Sequence, residues 1–204
     1  MQDTVRPRAF LVLLALALVG GAAAQPAAAA KPRLLVIGDS LAIGTEGPMA
    51  ALLPDWRIRT VARIGRPLDE GMRVFRSLEP APVVTAFSLF TNDDPSNVSA
   101  LVRAVKESLD LQHGAACSIW ATVVRPSVGG RSYSPVNRRL KRLARRPEML
   151  GRLVIVPWAE KVRRHPEWMA GDRVHGTYGG YQARARLYAN AVERCAATFA
   201  PDDR

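Results

Sequence analysis

The stretch RLLVIGDS, residues 33–40, decides the fold expected for this chain. Its four consecutive aliphatic residues leave no polar side to face water, which is typical of a strand buried on both faces of a parallel sheet. The tripeptide Gly38-Asp39-Ser40 ends that strand, and a helical segment follows toward Leu53. The stretch therefore predicts a strand, a tight turn and a helix, with the turn at the carboxyl edge of a sheet.

Short β-rich runs and longer segments of helical period alternate through the rest of the chain. Further strands are predicted over residues 56–61, 82–89, 118–124 and 153–156, further helices over 68–78, 96–111, 138–146 and 177–199, and a short segment at 158–164. This alternation predicts an α/β fold with a five-stranded parallel sheet covered on both faces. Pro48 is expected in the first turn of the first helix proper, where its missing N–H costs nothing.

The first 32 residues differ in composition from the rest of the 204-residue chain. Arg6 and Arg8 precede an apolar run over residues 9–19, and Ala22 to Ala24 offer a small-residue cleavage site. That order is typical of a secretory signal peptide, and a run shorter than roughly 20 residues disfavours the alternative of a membrane anchor. We expect a signal peptide at residues 1–24, a linker at 25–32 and one domain at 33–204, with cleavage after Ala30 also compatible.

An exported chain with these features is expected outside the cytoplasm, secreted or in the cell envelope, without a stable membrane span after cleavage. Its formal net charge of +11 favours attraction to anionic surfaces such as cell-wall polymers or lipid headgroups. The densest basic run, residues 138–146, leaves Leu140 and Leu143 for an inner face, as a solvated helix face also would. No recognition helix or aromatic-interleaved strand indicates nucleic acid, so an anionic cell-wall polymer is the candidate macromolecular partner.

Ser40 is the candidate nucleophile, because it stands between a buried strand and a helix, where backbone N–H groups point toward its hydroxyl. A Gly-Asp-Ser tripeptide by itself is more typical of a turn with a helix cap. Asp172 and His175 lie three residues apart in a glycine-flanked loop before the last helix. An Asp at that spacing can orient the imidazole and leave Nε2 free to accept the serine proton, although a surface ion pair fits the pair equally well.

Gly65 and Asn92 follow the second and third strands and are candidate oxyanion donors. A glycine lets a backbone N–H approach a substrate closely, and an Asn side chain supplies an amide N–H. Each residue alone is more typical of a turn. Their occurrence in one order with Ser40 and the Asp172/His175 pair is much more specific than any single motif.

In this order the chain resembles the SGNH hydrolase family of GDSL-like esterases and lipases. The resemblance rests on Gly38-Asp39-Ser40, on Gly65, on Asn92-Asp93, and on Asp172 to His175 with the following Gly179-Gly180-Tyr181. It implies a flavodoxin-like three-layer α/β/α fold and ester hydrolysis without a metal or an organic cofactor.

The resemblance also assigns roles to individual residues. Ser40 would attack the acyl carbon, His175 would act as base and then as acid, and Asp172 would orient the imidazolium. The oxyanion would be bound by the backbone N–H groups of Ser40 and Gly65 and by the Asn92 side chain.

Phe90 departs from the family pattern, which usually reads Gly-x-Asn-Asp where this chain has Phe90-Thr91-Asn92-Asp93. A bulky side chain there could contact substrate, narrow the pocket or reshape the loop that presents Asn92. Arg125 and Tyr133, in the loop at residues 125–134, are further candidate substrate contacts, although such a loop is as often only a connection.

Cys117 and Cys195 are expected to form a structural disulfide, because the start of strand four and the end of the last helix both lie at the amino edge of the sheet. His113 and His165 lie outside the group of candidate site residues formed by Ser40, Gly65, Asn92, Asp172 and His175. No cluster of residues with metal-ligand spacing is visible in the sequence.

The sequence therefore predicts an exported serine ester hydrolase acting on a small or carbohydrate-linked acyl ester, such as an acetyl ester. Acyl transfer to another hydroxyl is a close variant. The alternative from another class is a catalytically impaired SGNH scaffold that binds cell-wall polysaccharide or another anionic partner, which Phe90 and the high charge would favour. Short connections leave no obvious lid and disfavour long-chain lipase activity.

Overall fold

The aliphatic run that follows Arg33 is the second strand of a parallel sheet in the computed structural model of the protein, which describes residues 30–78, 84–112 and 117–199. The strands are β1 (Arg33–Gly38), β2 (Arg57–Ala62), β3 (Val84–Ser88), β4 (Cys117–Ala121) and β5 (Leu153–Val156). Their order is β2-β1-β3-β4-β5, and every pairing is parallel. This is the doubly wound order that places a binding crevice at the carboxyl ends of the strands.

Helices cover both faces of the sheet. They are α1 (Ser40–Leu52), α2 (Leu68–Arg76), α3 (Val98–Leu111), α4 (Ser134–Ala144), α5 (Trp158–Val162) and α6 (Tyr178–Ala197), with short 3₁₀ turns at 147–149 and 166–168. Along β1, Leu35 and Ile37 pack into the core shared with α2, α3 and α4, whereas Leu34 and Val36 pack into the core shared with α1 and α6. The predicted α/β/α sandwich with a five-stranded parallel sheet is therefore confirmed.

Several predicted boundaries differ from those of the structure, and two of the differences have a clear local reason. β4 ends at Ala121 rather than at residue 124, because the Asn137 side chain of α4 bonds both the N–H and the C=O of Val123, at 2.8 Å each. Pro48 lies well inside α1 rather than in its first turn, because the Asp39 side chain caps the helix at Leu41 N–H, 2.9 Å away.

The predicted disulfide between Cys117 and Cys195 is present, with the two Cα atoms 5.7 Å apart. It joins the start of β4 to the last turns of α6 at the amino end of the sheet. The disulfide therefore ties the C-terminal helix to the middle of the fold from the side away from the carboxyl ends of the strands.

From Lys31 onward the described residues form one compact unit. The expected signal peptide at 1–24 and most of the linker at 25–32 lie outside the described residues, as does His113. Within the described ranges, no helix combines the length and the apolar character needed to cross a membrane.

Candidate active site

Ser40 is the first residue of α1, directly after the turn that ends β1. The backbone N–H of Asp39 donates to the Ser88 carbonyl at the end of β3, 3.0 Å away, and the Asp39 carboxylate accepts the Leu41 N–H. Asp39 is completely buried, whereas Ser40 is half-buried. The sheet thus holds the turn on one side, and the serine hydroxyl stays accessible on the other.

The structure brings Ser40, His175 and Asp172 into one hydrogen-bonded line. Ser40 Oγ lies 2.9 Å from His175 Nε2, and His175 Nδ1 lies 2.6 Å from Asp172 Oδ2. Because a carboxylate only accepts, Nδ1 carries the proton and Nε2 is left to accept from the serine hydroxyl. The three side chains therefore have the order and polarity that nucleophile activation requires.

The Asp172 carboxylate also organises its own loop. Asp172 Oδ1 accepts the backbone N–H groups of Val174, at 2.9 Å, and of His175, at 3.0 Å. Together with the bond to the His175 imidazole, which contributes most, these donors hold the pKa of Asp172 well below its ordinary value. An ionised Asp172 therefore both shapes the turn and faces the imidazole.

The base of this loop is closed by backbone bonds to the segment before it. Ala170 N–H donates to the His175 carbonyl at 2.8 Å, and Thr177 N–H donates to the Trp168 carbonyl at 2.9 Å. The Thr177 hydroxyl then caps α6 by accepting the Gly180 N–H at 3.1 Å. The position of His175 is consequently set by the start of α6.

Asn92 lies beside the Ser40 turn, in the loop that follows β3. Its amide nitrogen is 3.4 Å from Asp39 Oδ2 and 3.4 Å from the Arg66 carbonyl, which are long contacts. Asn92 thus adjoins the chain neighbours of both Ser40 and Gly65. Gly65 is exposed and has a φ of 70°, a left-handed conformation that favours glycine.

Arg125 and Tyr133 hold the Asn92 loop in place. Arg125 Nη1 donates to the Thr91 carbonyl at 2.6 Å, and Tyr133 Oη donates to the Asp93 carbonyl at 2.7 Å. Tyr133 is only 3% exposed, so the prediction that it contacts substrate is wrong, since its ring is needed beneath the loop. Arg125 is half-buried, which leaves part of its side chain accessible.

Phe90 is fully buried, so the prediction that its side chain contacts substrate is also wrong. Its ring packs edge to face on Tyr133, with centroids 6.5 Å apart, and belongs to the core. Its φ of 77° is left-handed, a conformation that costs a residue with a Cβ about 1–3 kcal/mol. Burial of the ring in the core offsets this strain.

A cleft of about 480 Å³ lies between the β4–α4 loop and the segment before α6. Its walls are mainly apolar, and two arginines contribute to them; the lining residues are Val124, Arg125, Pro126, Val162, Pro166, Met169, Ala170, Gly171 and Arg173. Gly171 and Arg173 flank Asp172, and Arg125 bonds the residue before Asn92. The cleft therefore adjoins the Asp172 side of the candidate site, and Ser40, His175 and Asn92 do not line it.

Apolar side chains are also exposed on the segments that bear candidate site residues. Ile64, next to Gly65, is 73% exposed, and Tyr178, three residues after His175, is 82% exposed. Neither is needed for the core, so both are available to an apolar part of a ligand.

Two further residues support the site and were not singled out from the sequence in that role. The Asp93 carboxylate accepts the Leu68 N–H at the start of α2, at 3.0 Å. Arg184 is buried in α6 and bonds Ser88. Its helical spacing from Tyr181 and Tyr188, among alanines, is the signal that could have placed it on an inner face.

In the part of the chain that the structure describes, no group of three or more His, Cys, Asp or Glu side chains is arranged to hold a metal ion. His165 stacks on Trp168, with ring centroids 4.2 Å apart, and bonds Glu167. It stands apart from the Ser40–His175 pair.

Similarity to known proteins is visible in structure rather than in sequence. No family model and no curated protein sequence matches the chain. Among solved structures, the catalytic domain of peptidoglycan O-acetyltransferase A from Streptococcus pneumoniae, bearing a methylsulfonyl adduct, is 21% identical. The alignment covers 83% of this chain and 94% of that domain, with a TM-score of 0.62.

Two other solved structures carry family names. A protein from Slackia heliotrinireducens described as an SGNH hydrolase is 20% identical with a TM-score of 0.64, over 79% of this chain and 98% of that one. A member of the lipolytic G-D-S-L family from Veillonella parvula is 14% identical with a TM-score of 0.63, over 79% and 98%. The chain therefore has the fold of the SGNH/GDSL hydrolases.

Proposed function

We propose that the protein is an exported serine esterase of the SGNH class. The observation that carries the proposal is the line of contacts from Ser40 Oγ through the His175 imidazole to the Asp172 carboxylate. It lies at the carboxyl end of the sheet, where α/β folds of this order bind their ligands.

In the proposed reaction Ser40 Oγ attacks the acyl carbon of an ester while its proton passes to His175 Nε2. The ionised Asp172 stabilises the imidazolium, which then protonates the departing alcohol oxygen as the ester bond breaks. Water, deprotonated by His175, then attacks the acyl carbon, and the imidazolium passes that proton to Ser40 Oγ as the acyl–Oγ bond breaks, which releases the acid and free Ser40.

The negative charge that develops on the carbonyl oxygen would be bound by the N–H groups of Ser40 and Gly65 and by the Asn92 amide. The long contacts of Asn92 support this role, because a weakly bonded amide can turn to a substrate oxygen at little cost. Arg125 and Tyr133 restrict the loop on both sides of Asn92, which limits reorganisation during the reaction.

The proposed substrate is a small acyl ester on a polar, carbohydrate-like alcohol. A cleft of about 480 Å³ lies next to Asp172, and its mainly apolar walls would suit an apolar part of the ligand that extends beyond Ser40. Arg173 is exposed and has no bonded partner for its side chain among the described residues, so it favours a substrate or polymer that carries negative charge.

Export is proposed from two independent observations. The N-terminal 24 residues have the composition of a signal peptide, and the Cys117–Cys195 disulfide is typical of an oxidising compartment.

The decisive experiment is hydrolysis of p-nitrophenyl acetate by the purified chain and by Ser40→Ala. We expect Ser40→Ala to lose on the order of 10⁴-fold or more of the rate, because the nucleophile is removed. Ser99→Ala, which alters an exposed serine on α3, is the matched control and should retain full activity. A serine-directed fluorophosphonate should label the wild type and the control but not Ser40→Ala. Equal rates and equal labelling in all three proteins would overturn the proposal.

A second function, acyl transfer, is favoured by the structural similarity to an O-acetyltransferase catalytic domain. The same acyl-enzyme can be intercepted by a sugar hydroxyl instead of by water. The test adds a chitooligosaccharide to the assay and follows acetylated product by mass spectrometry. A transferase yields acetylated sugar at the expense of free acetate, whereas an esterase yields free acetate alone.

A further inference from the structure

A buried cation that the proposed reaction does not use lies beneath the Ser40 turn. Arg184, in the second turn of α6, is only 2% exposed. Its Nη2 donates to Ser88 Oγ at 3.0 Å and to Tyr188 Oη at 3.4 Å. The guanidinium carbon lies 5.2 Å from the ring centroids of both Trp158 and Tyr188. The charge is thus enclosed by aromatic rings and by the end of β3.

This arginine is incompletely satisfied. Its Nε and Nη1 atoms are buried and have no hydrogen-bond partner. Burying a charge without full pairing is unfavourable, and the cation–π contacts offset only part of that cost. A buried charge of this kind contributes little to the stability of the fold. We therefore consider its electrostatic effect on the groups around it.

A short chain of bonds leads from Arg184 to the nucleophile. Ser88 Oγ accepts from Arg184 and donates to Asp39 Oδ1 at 3.4 Å, while the Ser88 carbonyl accepts the Asp39 N–H at 3.0 Å. Asp39 in turn caps the helix whose first residue is Ser40. Arg184 itself belongs to the helix that follows the His175 loop. One side chain therefore connects the elements that carry the two reacting groups.

We propose that Arg184 is a positioning residue that acts through Ser88 and Asp39 to hold the Ser40 turn in register with His175. The inference rests on the proposed esterase function and adds a residue to it. Because misplacement of a reacting group by about 1 Å can cost on the order of 10²-fold in rate, a link of this kind has a measurable effect on turnover.

The electrostatics of Asp39 supply a readout that packing alone would not move. Burial raises the pKa of Asp39, whereas the Leu41 N–H and the charge of Arg184 act against that rise. Three other ionisable groups face Asp39: Asp93 from the loop after β3, and Tyr181 and Tyr188 from α6. Arg66, from the loop after β2, contacts the carbonyl of the neighbouring Gly38. Arg184 is therefore the cation from α6 that favours the ionised carboxylate.

The experiment compares the pH dependence of p-nitrophenyl acetate hydrolysis in wild type, Arg184→Met, Arg184→Lys and Ser88→Ala. In Arg184→Met we expect kcat to fall by roughly 10- to 100-fold with little change in KM. The acid limb of its kcat profile should move to higher pH, because Asp39 without the opposing charge is protonated at higher pH and then caps the helix that begins with Ser40 less well. Arg184→Lys should restore the acid limb, and Ser88→Ala should lower kcat while the acid limb moves little. Arg186→Met, at an exposed position on the same helix, is the matched control.

Wild-type kcat and an unmoved acid limb in Arg184→Met would overturn the inference, as would a loss that Arg184→Lys does not rescue at any pH. Should Arg184→Met fail to fold, an unchanged kcat in Ser88→Ala overturns it. These outcomes differ from failure of the proposed function, in which the wild type itself shows no hydrolysis that depends on Ser40.

Discussion

The two halves of the candidate active site are held by opposite means. The Ser40 turn stands on Asp39, which has no exposed surface, and is bonded to the ends of the central strands. The Asp172 and His175 side chains are 50% and 42% exposed and are organised by hydrogen bonds within their own four-residue loop. Ser40 is thus placed by the core, and the Asp172–His175 pair is placed by the hydrogen bonds of its own loop. Substitutions in the two halves should therefore separate activity from stability.

The largest expected effect is on the exposed half. Asp172→Asn keeps a side-chain oxygen for the loop N–H groups but loses the carboxylate that faces His175 Nδ1. We expect kcat to fall on the order of 10⁴-fold, because the favoured tautomer and the stabilisation of the imidazolium are both lost. Tm should stay nearly unchanged, since the pair is exposed. Steady-state kinetics and thermal unfolding test this, with exposed Asp55→Asn as control. A large fall in Tm would contradict the view that this loop is independent of the core.

Loss of the disulfide is expected to have the opposite result, lowering stability while leaving activity unchanged. Replacing both Cys117 and Cys195 by Ala opens a link between residues 78 positions apart, at the end of the molecule away from the candidate site. The free energy of unfolding should fall by about 4 kcal/mol, chiefly because the unfolded chain gains freedom. Below the lowered Tm, kcat should equal that of the wild type. Urea unfolding and ester hydrolysis at low temperature measure the two quantities, and a lower kcat in a fully folded variant would refute the separation.

Substitutions of Phe90 test the buried half of the site through a smaller difference in stability. Phe90→Ala and Phe90→Gly both remove a buried ring, which costs about 3–5 kcal/mol for a Phe-to-Ala change. Only glycine relieves the left-handed strain at this position. We therefore expect Phe90→Gly to be more stable than Phe90→Ala by about 1–2 kcal/mol in urea unfolding. Equal stability of the two variants would show that the strain is not significant.

The smallest expected effect is on the pH dependence of stability, where the two halves have opposite signs. Burial raises the pKa of Asp39, so the native state holds this proton more tightly and stability falls as pH rises through its pKa. The pKa of Asp172 is lowered chiefly by the bond to His175, so its contribution is present above the ordinary carboxyl pKa and is lost as pH falls below it.

Urea unfolding of wild type, Asp39→Asn and Asp172→Asn from pH 2 to 7 measures both signs. The stability of wild type relative to Asp172→Asn should decline below about pH 4, and relative to Asp39→Asn it should decline above about pH 4. Parallel curves for all three proteins would contradict both directions.

The sequence predicted the parts of the molecule that depend on regular patterns. The aliphatic run before Gly38 identified the central strand, and the alternation of strand and helix identified the sheet, because period and burial are visible along the chain. The disulfide followed from the same reasoning, since strand and helix directions place both cysteines at one end.

Contacts between distant segments could not be predicted in this way. Tyr133 and Phe90 were expected to contact substrate because they follow strands, but both are buried beneath the Asn92 loop. The end of β4 depends on Asn137, a residue of a later helix that replaces a strand partner. Long-range hydrogen bonds of this type leave no periodic trace in the sequence.

The 135-residue separation between Ser40 and His175 has a consequence for the newly made chain. Ser40 precedes its imidazole partner in the chain, and the loop of that partner leads directly into the C-terminal helix α6, which packs on α1 and on β3, β4 and β5. In a truncated polypeptide that lacks α6, the helix that sets the position of His175 beside the Ser40 hydroxyl would be missing. If the proposed function holds, the chain would become catalytically competent only once its C-terminal helix is in place.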